Sequence, residues 1–168
     1  MPDDAQDRFL ADRMIGRLGR WLRTMGVDCA GAQGLFAGEV LARAAAEGRV
    51  LLTRDTALMK RRSPVRRFFI RSNFVALQVQ EFLAAFPRDP LAAAFTRCIE
   101  CNEPLVRVAR EALGDDVPVY VKRTQTVFVT CPSCRRVYWG ATHRNRMRQR
   151  LLRLAASLKQ QSESCDDS

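Results

Sequence analysis

The sequence lacks the long apolar runs and the signal pattern that carry a chain into or across a membrane. No stretch approaches the roughly 18 consecutive apolar residues that a membrane span needs. The segment Met1–Asp7 is polar and acidic, whereas a secretory signal begins basic and continues apolar. We therefore expect a cytoplasmic protein without a membrane partner, whose cysteines are mostly reduced.

The sequence is also poor in acidic residues relative to basic ones. It has 28 Lys and Arg against 18 Asp and Glu, which gives a formal net charge of +10. Such an excess predicts attraction to polyanions, with nucleic acid first and an anionic membrane surface second. It does not distinguish RNA from DNA. Because 47% of the residues are apolar, the chain has enough material for a packed core, which excludes wholesale disorder.

Hydrophobic patterning in the first half of the chain predicts strands that alternate with helices. The predicted strands cover Arg8–Ala11, Arg49–Thr53 and Arg67–Ile70. The predicted helices run from about Met14 to Met25, from Glu39 to Glu47 and from Phe74 to Phe86. Alternation of this kind is typical of an α/β fold in which a parallel sheet is covered by helices on both faces.

The second half of the chain has a different character, and the sequence divides into four segments. We assign residues 1–94 to the α/β domain, 95–143 to a cysteine-rich ribbon, 144–160 to a basic helix and 161–168 to a disordered tail. Within the ribbon, Val117–Val121 and Val127–Thr130 are predicted to be strands.

Two of the predicted strands are followed by a carboxylate, Asp12 after the first and Asp55 after the second. Carboxyl ends of parallel strands meet at one edge of a sheet, where ligands bind. Carboxylates brought together there can hold Mg²⁺ or Mn²⁺, which activates water for phosphodiester cleavage. Glu39 is a third candidate and Asp28 a weaker fourth. The alternative is that Asp12 and Asp55 cap helices or turns, that Glu39 compensates a helix dipole, and that Asp28 is a solvated loop residue.

Four of the six cysteines form two Cys-x-x-Cys pairs, which are the strongest single signal in the chain. Two such pairs complete a closed tetrahedral site of four thiolates, which leaves no open position and is therefore structural. We assign the zinc ligands to Cys98, Cys101, Cys131 and Cys134. An iron–sulfur cluster uses the same ligands and stays an alternative. A thioredoxin-like redox role fits poorly, because such motifs occur once, near a βαβ unit.

Arginines recur at helical spacing directly after Asp12, which predicts a cationic ridge beside the acidic edge. A phosphate backbone would lie there to reach the metal. The candidate nucleic-acid-binding residues are Arg13, Arg17, Arg20, Arg23, Arg54, His143 and Arg144. The alternative for the ridge is an ordinary solvated face, and for His143, the only histidine, a packing or surface role.

Four stretches of the sequence, in the same order, resemble the Mut7-C RNase domain family. They are FLADRMIGRLGRWLRTMGVD, RVLLTRD, RCIECN and CPSCRRVYWGATH, within roughly residues 8 to 147. The resemblance implies a PIN-like nuclease fold with a C-terminal zinc ribbon. It also implies a metal-dependent ribonuclease whose acidic residues match Asp12 and Asp55. Asn73 stands where the family tends to carry an aspartate, and Ala37-Gly38-Glu39 is less acidic than the family tends to be.

The first hypothesis is therefore a metal-dependent endoribonuclease. Asp12 and Asp55 would be the core Mg²⁺ or Mn²⁺ ligands, with Glu39 beside them and Asn73 as an auxiliary residue. The second hypothesis is a catalytically weak or inactive RNA-binding module in ribosome- or tRNA-related processes, motivated by Asn73 and the small acidic set. A third is a DNA-directed protein with the same folds.

Overall fold

The computed structural model describes residues 7–140 and the helical segment 142–163; at residues 142, 143, 155 and 157–163 it describes the backbone alone. Its first half alternates strands and helices, as the hydrophobic pattern predicts. In chain order they are β1 (Phe9–Ala11), α1 (Gly16–Thr24), β2 (Cys29–Gly31), α2 (Ala37–Ala46), β3 (Val50–Thr53), α3 (Thr56–Lys60), β4 (Arg67–Phe69) and α4 (Val75–Ala85).

Strands β1 to β4 form one parallel sheet in the order β2–β1–β3–β4. Leu10 of β1 lies level with Ala30 of β2 on one side and with Leu51 of β3 on the other. All four carboxyl ends therefore lie at the same edge of the sheet. The predicted α/β fold with a parallel sheet flanked by helices is confirmed.

The sheet is buried on both faces, which divides the core of this domain into two. On one face, Phe9 and Leu52 pack with Leu18 and Leu22 of α1 and with Phe82 of α4. On the other face, the neighbouring residues of the same strands pack against α2 and α3, in a cluster that includes Leu10, Leu51, Val40, Leu41 and Leu58. Full burial of each such side chain contributes about 1.5–3 kcal/mol.

Gly26 ends the first helix in a conformation and a space that only glycine fits. Its φ is +83°, and an added β-carbon would lie 2.0 Å from the carbonyl oxygen of Ala93. The Phe95 N–H donates to the carbonyl of Thr24 at 2.8 Å, which keeps this later segment against the end of α1. Gly26 therefore both ends the helix and leaves room for the segment that leads into the ribbon.

The ribbon contains a second, antiparallel sheet in the order β5–β6–β7. Its elements are β5 (Val106–Val108), α5 (Val119–Thr124), β6 (Phe128–Thr130) and β7 (Val137–Trp139). The predicted strand at Val127–Thr130 is confirmed as β6. The predicted strand at Val117–Val121 is wrong, because Pro118 stands at the N-cap of α5 and the helix buries Val121 in a cluster that includes Val117 and Phe128.

The last helix, α6 (Thr142–Glu163), packs back onto the first domain. Leu151 is fully buried in the same cluster as α1 and α4, and the Arg150 guanidinium lies 5.5 Å from the centre of the Trp21 ring. Residues 161–163 of the expected disordered tail are helical, and residues 164–168 lie outside the described part. None of the described helices is both long and apolar enough to cross a membrane.

Candidate functional site

Asp12 and Asp55 lie at the same edge of the sheet, on neighbouring strands. Asp12 directly follows β1, Asp55 follows β3 by one residue, and these two strands pair with each other. The Thr53 hydroxyl joins the two sites: it donates a short hydrogen bond to Asp12 Oδ2 and accepts one from the Asp55 backbone N–H at 2.9 Å. The two carboxylates therefore share one edge of the sheet, as expected from neighbouring parallel strands. Thr53, which connects them, was not among the residues that the sequence suggested.

Both aspartates also cap the helical turns that follow them. Asp12 Oδ1 accepts from the backbone N–H of Met14 at 2.7 Å and of Ile15 at 3.2 Å, and its Oδ2 also accepts from that of Arg54 at 3.1 Å. Asp55 Oδ1 accepts from the two N–H groups at the start of α3. The side chain of Asp12 is buried and that of Asp55 is half-buried. The capping alternative thus describes their hydrogen bonds correctly, and Asp55 is the more accessible carboxylate.

Neither of the other acidic candidates, Glu39 and Asp28, joins this pair. Glu39 is exposed in the first turn of α2, where its Oε2 accepts from the Phe36 N–H at 2.7 Å. Asn73 is exposed in the bend before α4. Asp28 precedes β2 and therefore lies at the opposite, amino edge of the sheet, so it cannot contribute to this site. In the described ranges, no three carboxylates come close enough together to hold an ion.

The predicted arginine ridge divides into exposed and buried members. Arg13, Arg17 and Arg20 are exposed and line a groove of about 530 Å³ with Gln33, which sequence reasoning missed. Arg20 pairs with Glu100 of the ribbon at 2.9 Å. Arg23 is 4% exposed and donates to the carbonyls of Gly19 and Glu100, so it joins α1 to the ribbon.

Two further predicted arginines lie away from this groove. The Arg54 guanidinium donates to the carbonyls of Arg71 and Ser72 and thereby holds the loop after β4. Arg144 lies 4.8 Å from the centre of the Phe95 ring, in a cavity of about 500 Å³ that Trp139 also lines. The side chain of the remaining candidate, His143, lies outside the described residues.

The four predicted cysteine ligands form a cluster that can hold a metal ion such as zinc. All four Sγ atoms lie within 4.8 Å of one another. Their sequence positions are Cys98, Cys101, Cys131 and Cys134. Residues Asn102 and Arg135, which follow the two pairs, have φ of 70° and 60°, the left-handed conformation of a tight knuckle. This clustering of the four Sγ atoms is compatible with the zinc ribbon that the spacing of the cysteines predicts.

The environment of the cluster favours thiolate at one of its members. Burial opposes ionisation of Cys98, but hydrogen bonds from Tyr138, at 3.1 Å, and from backbone N–H groups lower the pKa of Cys98 to about 7. Thiolate is the form that binds metal. The buried Cys29 lies away from the cluster, and burial raises the pKa of its thiol to about 12.

One known family model matches most of the chain described above. The family model of the Mut7-C RNAse domain matches residues 7–151. The chain belongs to the Mut7-C RNAse domain family. No curated protein and no solved structure matches the chain. The Mut7-C match spans both sheets, the acidic edge, all four clustered cysteines and α6 as far as Leu151. Membership suggests a nuclease or RNA-related role, which agrees with the excess of positive charge.

Proposed function

We propose that this Mut7-C protein is a metal-dependent ribonuclease that cuts RNA at the edge formed by β1 and β3. The observation that carries the proposal is the placement of Asp12 and Asp55 at adjacent parallel strand ends, joined through Thr53. A groove lined by Arg13, Arg17 and Arg20 offers positive charge to a phosphate backbone, and Arg13 directly follows Asp12 in the chain. We place its site of action, as the sequence predicts, in the cytoplasm.

The carboxylate oxygens at this edge can hold one hard cation better than two. Asp12 accepts hydrogen bonds on both oxygens. Both caps of Asp55 use Oδ1, and among the described residues no donor binds its Oδ2. Mg²⁺ is commonly held by one or two carboxylates and keeps several waters. We therefore assign the ion to Asp55 with Asp12 beside it, and we assign no direct contact to Glu39 or Asn73.

In this proposal the ion, Mg²⁺ or Mn²⁺, supplies a water of lowered pKa and polarises the phosphate. The chain supplies the rest. Arg13 and Arg17 hold phosphates on the approach to the acidic edge, and Thr53 orients the Asp12 carboxylate through its hydrogen bond. The cysteine cluster holds zinc in a structural role, because four thiolates leave no position for substrate.

Cleavage of a single-stranded RNA in Mg²⁺ or Mn²⁺, compared with cleavage of the matched DNA, tests the proposal. We expect Asp55→Asn to lose at least 100-fold in rate, because the amide brings no charge to the ion. Asp89→Asn is the matched control, since Asp89 also caps a turn, accepting from the Leu91 N–H at 2.8 Å, far from the edge. Equal cleavage by the wild type and Asp55→Asn would refute the proposal.

The second candidate function is an RNA-binding module without cleavage, acting on ribosomal RNA or tRNA. It is favoured by the buried carboxylate of Asp12, whose two oxygens both accept hydrogen bonds, and by the lack of a third carboxylate close to the pair among the described residues. RNA binding by the wild type without cleavage in any divalent metal would support this candidate in place of the first.

A further inference from the structure

Two phenylalanines at the carboxyl edge of the sheet are exposed without a structural reason. Phe36 is 81% exposed and Phe74 is 73% exposed, whereas burial of a phenyl ring would contribute about 1.5–3 kcal/mol. Each stands at the N-cap of a helix, Phe36 of α2 and Phe74 of α4, and makes no side-chain capping bond. Ser, Thr, Asp or Asn would stabilise these positions. Neither core packing nor capping therefore explains the choice of phenylalanine.

A guanidinium group lies near the backbone at each of these two N-caps. Arg61 Nη1 lies 3.8 Å from the point where a β-carbon on Gly38 would lie, in the first turn of α2 and two residues after Phe36. On the other side, Arg54 donates to the carbonyl of Ser72, whose side-chain oxygen accepts from the Phe74 N–H at 3.0 Å. The backbone near each of these two N-caps therefore has a cation close by, and positive charge near an exposed ring suits a base together with its phosphate.

The two rings lie on either side of the acidic pair. Phe36 follows the outer strand β2 and Phe74 follows the outer strand β4, while Asp12 and Asp55 follow the two inner strands. Three strand spacings, about 14 Å, separate the outer strands. Because α2 and α4 cover opposite faces of the sheet, the rings stand at diagonal corners of the edge. A nucleic-acid strand that crosses the acidic pair would pass both rings.

We propose that Phe36 and Phe74, which we call the aromatic rim, are stacking platforms for unpaired bases on either side of the cleaved phosphate. This inference rests on the proposed function and names its substrate class, single-stranded RNA. A base in a duplex is stacked and paired, and its face is closed to a protein ring, whereas an unpaired base stacks on any aromatic side chain. The rim therefore favours unpaired bases over paired ones and is tolerant of sequence.

The test measures binding of RNA containing 2-aminopurine, whose fluorescence falls when it stacks, to the full chain carrying Asp55→Asn, which stops cleavage. We expect Phe36→Ala and Phe74→Ala each to weaken single-strand binding about 5- to 100-fold and to reduce the fluorescence loss. Phe36→Trp and Phe74→Trp should keep both the single-strand affinity and the fluorescence loss of the parent, because tryptophan also stacks on bases. Duplex binding should not change. Tyr120→Ala, at a ring 70% exposed in the ribbon, is the matched control and should bind as the parent does.

The possible results separate this inference from the proposed function. Alanine variants that bind and quench like the parent overturn the rim, even if the wild type cleaves RNA and Asp55→Asn does not. Equal loss of single-strand and duplex binding also overturns it, because stacking predicts loss for unpaired bases alone. Selective loss of single-strand binding with a wild type that never cleaves supports the rim and refutes the ribonuclease.

Discussion

Asp28 joins the first domain to the ribbon, so its removal should destabilise the whole protein. Its Oδ1 accepts from Arg49 at 2.5 Å and from the Asn102 side chain at 2.7 Å, and Arg97 lies 3.6 Å from its Oδ2. Asn102 in turn accepts from the Cys29 backbone N–H at 2.9 Å. One carboxylate thus connects the start of β2, the start of β3 and the first cysteine loop.

The loss in Asp28→Ala can be worked from these contacts. Two hydrogen bonds to a charged group contribute about 1.5–3 kcal/mol each, and the 20% exposure of the side chain favours the lower end. Arg49 keeps Glu47 as a charged partner, and Arg97 loses its ion pair but keeps its hydrogen bonds to the carbonyls of Gly26 and Asn102. We expect a loss of about 3–4 kcal/mol in the free energy of unfolding, which corresponds to about 6–16 °C in Tm for a chain of this size.

Urea denaturation followed by circular dichroism measures this loss, and its pH dependence tests the cause. Although burial opposes it, hydrogen bonds from Arg49 and Asn102 and the charges of Arg49 and Arg97 lower the pKa of Asp28 below its usual 3.8. The contribution is therefore complete above pH 3.8 and is lost as the pH falls through the lower folded value. Asp115→Ala, at an exposed acid, is the control and should change stability by less than about 0.5 kcal/mol. An Asp28→Ala variant as stable as the wild type at pH 7 would refute the reasoning.

Three other predictions concern the ribbon, the groove and the acidic edge. Chelation of the metal, or Cys131→Ala, should unfold the ribbon sheet while the parallel sheet persists, as amide NMR spectra would show. Arg17→Ala should reduce the slope of log binding constant against log salt for single-stranded RNA by about 0.7, measured by fluorescence anisotropy. Thr53→Val should weaken Mn²⁺ binding about 10- to 100-fold in calorimetry without unfolding the protein, because Asp12 loses a hydrogen bond that orients it.

The sequence predicted the α/β domain well because its strands are short apolar runs separated by amphipathic helices. Strand β2 was missed, since Cys29–Gly31 consists of small residues and gains its strand character from pairing with β1. The helix α5 was taken for a strand because its valines favour β-structure locally. In the folded protein Val121 is buried in a cluster with Phe128, and tertiary packing of this kind overrides a local preference for β-structure.

The candidate site was predictable where it depends on topology and unpredictable where it depends on distant contacts. Asp12 and Asp55 follow parallel strands, which must share an edge. Arg23 continues the spacing of the exposed arginines, yet the ribbon covers it through the carbonyl of Glu100. Thr53 showed no signal as the last residue of an apolar strand. A phenylalanine at a helix N-cap is unusual and draws attention to a possible function, but the two N-caps became identifiable only from the helix bounds in the structure.

Calorimetric titration of the zinc-loaded protein with Mn²⁺ tests most directly whether a hard cation binds at the acidic edge. We expect one Mn²⁺ per chain in the wild type and in Asp89→Asn, and a loss of that binding in Asp55→Asn. Wild-type protein that binds no Mn²⁺, or Asp55→Asn protein that binds it with unchanged affinity, would contradict the account.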